Sequence, residues 1–110
     1  MSVTAVNNSQ FSSEVLSWPV PVLVDFWAPW CPPCRLLAPE LEKVADRFAG
    51  RLKVVKVDTE QSQGLALRYQ VRGIPHLMVF HRGEPVAQHT GFLDADMLGR
   101  WLEMVLTRAA

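Results

Sequence analysis

VLVDFWAPWCPPC, residues 22–34, runs from an apolar stretch into a stiff turn that holds the only two cysteines of the chain. Residues 22–27, bracketed by Pro21 and Pro29, read as a strand covered on both faces. Beyond Cys34, Leu37, Leu41, Val44 and Phe48 recur at spacings of four, three and four, which is one apolar stripe of a helix. Gly50 suits a left-handed close. Pro39 falls inside that helix, where it removes a backbone hydrogen bond and kinks the axis, costing about 3 kcal/mol that tertiary packing must offset. The cysteines therefore lie where a strand hands over to a helix, the end of a strand at which sites form in open α/β sheets.

Working outward, residues 52–57 read as a second strand, and Thr59 as the cap of a helix running to about residue 69. Residues 77–80 and 86–90 are two strands joined by His81-Arg-Gly-Glu-Pro85, a composition suited to a hairpin. Met97, Leu98, Trp101, Leu102, Val105 and Leu106 mark an amphipathic helix capped near Asp94. Residues 3–6 form an edge strand, and residues 9–17 a helix carrying Phe11, Val15 and Leu16. Strands alternating with helices, then a late hairpin, predict an α/β fold: a central mixed sheet of about five strands with about four helices on both faces.

The chain has 110 residues, 49% hydrophobic and 20% charged, with zero formal net charge. That is the profile of one globular domain spanning residues 1–110, without repeats or biased tracts. Eight arginines and three lysines are scattered rather than striped, which argues against nucleic acid. Apolar runs are short, and the start MSVTAVNNSQ lacks the basic and apolar stretches of a signal peptide, so the expected location is cytoplasmic, away from membranes. Nothing demands more than a monomer.

A reducing compartment disfavours structural disulfides and favours thiols used for catalysis or metal binding. Closing a loop this short restricts the unfolded chain by only about 2 kcal/mol, so the pair is a poor staple. At the amino end of a helix, Cys31 meets unpaired backbone N–H groups and the positive end of the dipole, both of which favour thiolate. Cys31 is the expected accessible nucleophile. Cys34, one turn on, lies within bridging range and can resolve a mixed disulfide. Asp25 is a carboxyl in the middle of an apolar strand, where burial of its charged form is costly and its titration is raised.

WCPPC after VLVDFWAP, followed by Gly73-Ile74-Pro75 and by this order of elements over nearly the whole chain, resembles the thioredoxin family. The resemblance implies a thioredoxin fold and protein-disulfide reduction, with Cys31 attacking and Cys34 resolving. It implies that Asp25, with Lys56 nearby, moves the proton of Cys34. It also implies a cis Ile74–Pro75 peptide facing the disulfide, with Trp30, Gly73, Ile74, Pro75 and Gly91 forming a shallow apolar groove where an extended substrate pairs as an added strand. With no nucleotide motif and no cofactor implied, electrons come from a partner, a thioredoxin reductase that is NADPH- or ferredoxin-linked, and pass to disulfide-containing client proteins. Trp27 and Trp101 are assigned to packing.

Two positions depart from that family pattern. Pro32 stands where glycine is usual, so Pro32 and Pro33 together remove the two nearest N–H groups and leave Cys34 and Arg35 as the first donors to the Cys31 sulfur. A less stabilised thiolate makes the disulfide harder to reduce; strain from consecutive prolines acts in the opposite direction. His76 stands where threonine is common, and it either tunes the thiolate or points to solvent. His81 and His89 are distant in sequence from the cysteines, so no spacing suggests a zinc site, and no metal is expected. A scaffold using the same groove is the alternative without redox chemistry.

Overall fold

The computed structural model describes residues 3–109. Its elements follow the predicted order: β1 (Val3–Ala5), a π-helical turn (Ser12–Leu16), β2 (Val22–Trp27), α1 (Pro32–Arg47), β3 (Lys53–Asp58), α2 (Gln63–Arg68), β4 (His76–His81), β5 (Glu84–Thr90) and α3 (Ala95–Ala109). The five strands form one sheet in the order β1-β3-β2-β4-β5. β1, β3 and β2 run parallel, whereas β4 is antiparallel to both β2 and β5.

β2 is central, and its side chains alternate between two cores. Leu23 joins Leu37, Leu41, Val44, Leu77, Leu98 and Leu102 beneath α1 and α3. Val22, Val24 and Phe26 join Phe11, Val15, Val55, Val57, Leu65 and Phe80 on the opposite face. There Phe11 and Tyr69 meet the Phe80 ring edge-on, with centroids 5.5 and 5.1 Å away. The predicted stripe of α1 is thus buried as expected, and Pro39 is accommodated within one continuous helix.

Two local expectations change. Thr59 does not cap α2: its N–H and hydroxyl both donate to the Trp27 carbonyl, at 2.9 and 3.2 Å. The Asp58 carboxylate takes the Glu60 and Gln61 amides, so a turn intervenes and α2 begins only after Ser62. The hairpin loop is shorter than residues 81–85, because Arg82 (φ 55°) and Gly83 (φ 82°) alone make the turn while His81 pairs with Glu84. Two consecutive left-handed residues match the twist of the strands they join. Pro85 remains in the ladder because β5 is an edge strand, and the register slips beside it between Val79 and Phe80. Trp18 lies under the Lys53 ammonium, 3.3 Å from its ring centroid.

A side chain at Gly83 meets both a left-handed backbone and the Leu16 carbonyl, 3.4 Å from where its Cβ would stand. Gly83→Val should lower unfolding free energy by about 1–2 kcal/mol in urea titration. An unchanged midpoint contradicts this account of the turn.

Candidate redox site

β2 ends at Trp27, and residues 28–31 turn the chain into α1, with the Cys31 N–H donating to the Ala28 carbonyl at 3.2 Å. Cys31 is the N-cap: its backbone is extended (φ −89°, ψ 109°), and Pro32 and Pro33 occupy the first two helical positions, where no N–H is needed. The first amide free to turn back is that of Cys34, which donates to Cys31 Sγ at 3.3 Å. The Arg35 amide, the other expected donor, goes instead to the Cys31 carbonyl at 3.2 Å. The two sulfurs are joined in a disulfide, with Cα atoms 5.2 Å apart.

Both cysteines are buried, at 2% and 3% exposure, so exposure does not single out Cys31 as expected. Their neighbours do distinguish them. Cys31 Sγ lies 3.9 Å from the Ile74 carbonyl oxygen, beside the cis Ile74–Pro75 peptide. Cys34 faces inward and lines a cavity of about 170 Å³ with Asp25, Trp27, Arg35, Ala38, Leu41, Glu42 and Lys56.

Asp25 is 3% exposed, and its Oδ1 has no hydrogen-bond partner within the protein. Desolvation pushes its carboxyl from 3.8 up to about 7, against the smaller pull of the Lys56 charge, which lowers it. Lys56 is its register partner on β3, and the ammonium lies 5.0 Å from the Trp27 ring centroid.

The chain matches the thioredoxin family model over residues 2–104. The chain belongs to the thioredoxin family. It is 46% identical over 104 residues to thioredoxin 1 of Nostoc sp., covering 94% of this chain and 97% of that protein. It is 43% identical over 105 residues to thioredoxin C-2 of Corynebacterium nephridii, with the same coverage. Against thioredoxin of Haemophilus influenzae the identity is 38% over 100 residues, covering 91% and 94%. The paired cysteines fit the dithiol–disulfide centre of a thioredoxin-type disulfide reductase, and members of this family are reduced by thioredoxin reductase and act on disulfide clients.

Trp30 is 60% exposed, as expected of a residue on the turn, and its indole N–H donates to the Glu60 carboxylate. Arg35 donates to the Pro29 carbonyl at 2.9 Å. Gly91 (φ 108°) donates its N–H to the Pro75 carbonyl at 2.8 Å, and Gly73 packs against Thr90. His76 does not point to solvent. It is 7% exposed and turned to β5, with both ring nitrogens engaged there, so neither solvent nor a sulfur receives its N–H. Glu60, Thr90 and Gln88 could not be assigned from spacing, because their partners Trp30 and His76 stand far off in the chain. Among the described residues no group of three or more His, Cys, Asp or Glu is arranged to hold a metal ion, and no helix is long and apolar enough to cross a membrane.

Two measurements follow from this geometry. Folded protein holds a proton on Asp25 that the unfolded chain releases between pH about 4 and about 7, so Asp25 costs stability increasingly as pH rises through that window. Asp25→Asn should match wild type near pH 3.5 and exceed it by about 4 kcal/mol above pH about 8, read by urea unfolding. Equal gains at both pH values contradict the raised carboxyl. Pro32→Gly restores one amide near Cys31 Sγ and stabilises the dithiol form. Its potential against glutathione should be less negative by about 30 mV, equivalent to about 1.4 kcal/mol, whereas a more negative value contradicts the donor argument.

Proposed function

We propose that this chain is a single-domain cytoplasmic thioredoxin in which Cys31 is the attacking thiolate and Cys34 the resolving thiol. The observation that carries the assignment is the helix cap: Cys31 Sγ receives the Cys34 amide, and Cys34 lies on the cavity side. In the dithiol form the Cys31 thiolate attacks a client S–S bond, forming a mixed disulfide and releasing one client sulfur as thiolate, which takes up a proton. Cys34 then loses its proton, and its thiolate attacks Cys31 Sγ. The second client sulfur leaves, and the Cys31–Cys34 bond forms. Two electrons have passed to the client.

Asp25 is the proposed acceptor of the Cys34 proton. A carboxyl titrating at about 7 is matched to gaining and losing a proton near neutrality, and the shared cavity is wide enough to admit water between the two groups. Lys56 steadies the charged form of Asp25. The Ile74 carbonyl beside Cys31 Sγ supports pairing of an extended client along Gly73, Ile74 and Pro75, with Trp30 and Gly91 at the edges of the groove. A thioredoxin reductase, NADPH- or ferredoxin-linked, returns the two electrons.

Cys31→Ser should abolish insulin reduction, and Cys34→Ser should accumulate a Cys31-linked mixed disulfide visible by mass spectrometry. Insulin reduction retained in Cys31→Ser, or trapping through Cys34 in its place, overturns the assignment. Turnover of the wild type with the two reductase classes, side by side, identifies its electron donor.

A further inference from the structure

The segment before β4 is tied to the end of β5 by a set of contacts that the redox chemistry does not use. The Gly91 N–H donates to the Pro75 carbonyl at 2.8 Å. His76 Nδ1 stands 2.8 Å from Thr90 Oγ1, and Nε2 stands 3.0 Å from Gln88 Oε1. Because Gln88 presents an acceptor, Nε2–H donates to it, and Nδ1 accepts the Thr90 hydroxyl. Thr90 in turn fills the space over Gly73: a Cβ at Gly73 would stand 3.1 Å from Thr90 Cγ2. One threonine is thus held between the His76 ring and the Gly73 backbone.

β5 needs such a fastening. It is an edge strand, largely exposed, with a proline and a register slip near its start. His76 and Thr90 are the last pair of the β4–β5 ladder, at the end nearest Ile74. The histidine is buried against Phe26, ring centroids 6.3 Å apart, so its orientation is fixed from both sides.

We propose that His76, through Thr90 and Gln88, is a positioning and specificity-determining residue that holds the Gly73–Ile74–Pro75 backbone ready for an extended polypeptide. Clients that pair with this backbone depend on the clasp, whereas small disulfides that need only the Cys31 sulfur do not. This rests on the reading that clients lie along Ile74. Preorganisation of a binding backbone lowers the ordering cost of association and leaves bond exchange at sulfur unchanged.

The test compares insulin with the small aromatic disulfide 5,5′-dithiobis(2-nitrobenzoate), using wild type, His76→Ala, His76→Asn and Thr90→Val. Thr90→Val keeps the shape over Gly73 and removes only the hydroxyl, so it reports even if the alanine variant folds poorly. His76→Ala and Thr90→Val should raise KM for insulin about fivefold to tenfold, with kcat and the small-disulfide rate within about twofold of wild type. His76→Asn keeps an amide near the Nδ1 position and should recover most of the loss. Unchanged KM in folded Thr90→Val and His76→Ala overturns the proposal, as do equal losses on both disulfides, which mark a merely structural role. Should the wild type reduce the small disulfide but not insulin, the underlying reading of client pairing falls and the clasp with it; a wild type active on both with indifferent variants removes the clasp alone.

Discussion

A single amide-to-sulfur contact organises the site: the Cys34 N–H reaching back 3.3 Å to Cys31 Sγ across the first turn of α1. It exists because Pro32 and Pro33 supply no donor, so the unpaired amides expected at a helix start are reduced to one that points at the sulfur. The prolines also fix the entry of the helix. A thiolate at position 31 therefore meets one N–H and the positive end of a helix of 16 residues. The rest of the fold holds this helix start against the end of the central strand. β2 is covered on both faces, and the two cores beneath and above it anchor the turn that follows Trp27.

The same strand carries a buried carboxyl that works against stability. Asp25 occupies a position at which alternation would otherwise place an apolar side chain, and its Oδ1 has no partner within the protein. Desolvation raises its titration to about 7, and Lys56 offsets only part of that cost. A carboxyl on the central strand that is only partly compensated is disfavoured for stability, and it changes charge near neutrality. The cavity that joins Asp25 to Cys34 places the two groups in one compartment, while Cys31 lies on the other side of the pair against Ile74.

Much of this was legible in the sequence, because periodicity and punctuation report local backbone and burial directly. The apolar run of β2, the stripe of α1, the order of elements and the Asp94 cap of α3 all follow from residue spacing, and the Met97 amide does donate to Asp94 Oδ1. The helix-cap position of Cys31 and the anomalous Asp25 were readable for the same reason. What depended on distant partners was not. Thr59 looks like a cap until the Trp27 carbonyl, brought alongside by strand pairing, claims both its donors. His76 looks free until Thr90 and Gln88 arrive from the edge strand, and Trp30 finds Glu60 across 30 positions. The burial of Cys31 was also missed, since residues 28–34 look like an open turn until Trp27 and Ile74 close over the sulfurs.

The central claim is that the helix cap makes Cys31 the more reactive thiol although both cysteines are equally buried. Competitive alkylation of fully reduced protein with substoichiometric iodoacetamide at several pH values, mapped by peptide mass spectrometry, tests it most directly. The account predicts that Cys31 carries nearly all the label near neutral pH and that Cys34 follows only in alkaline solution. Prior labelling of Cys34, or equal labelling of the two at pH about 7, contradicts it.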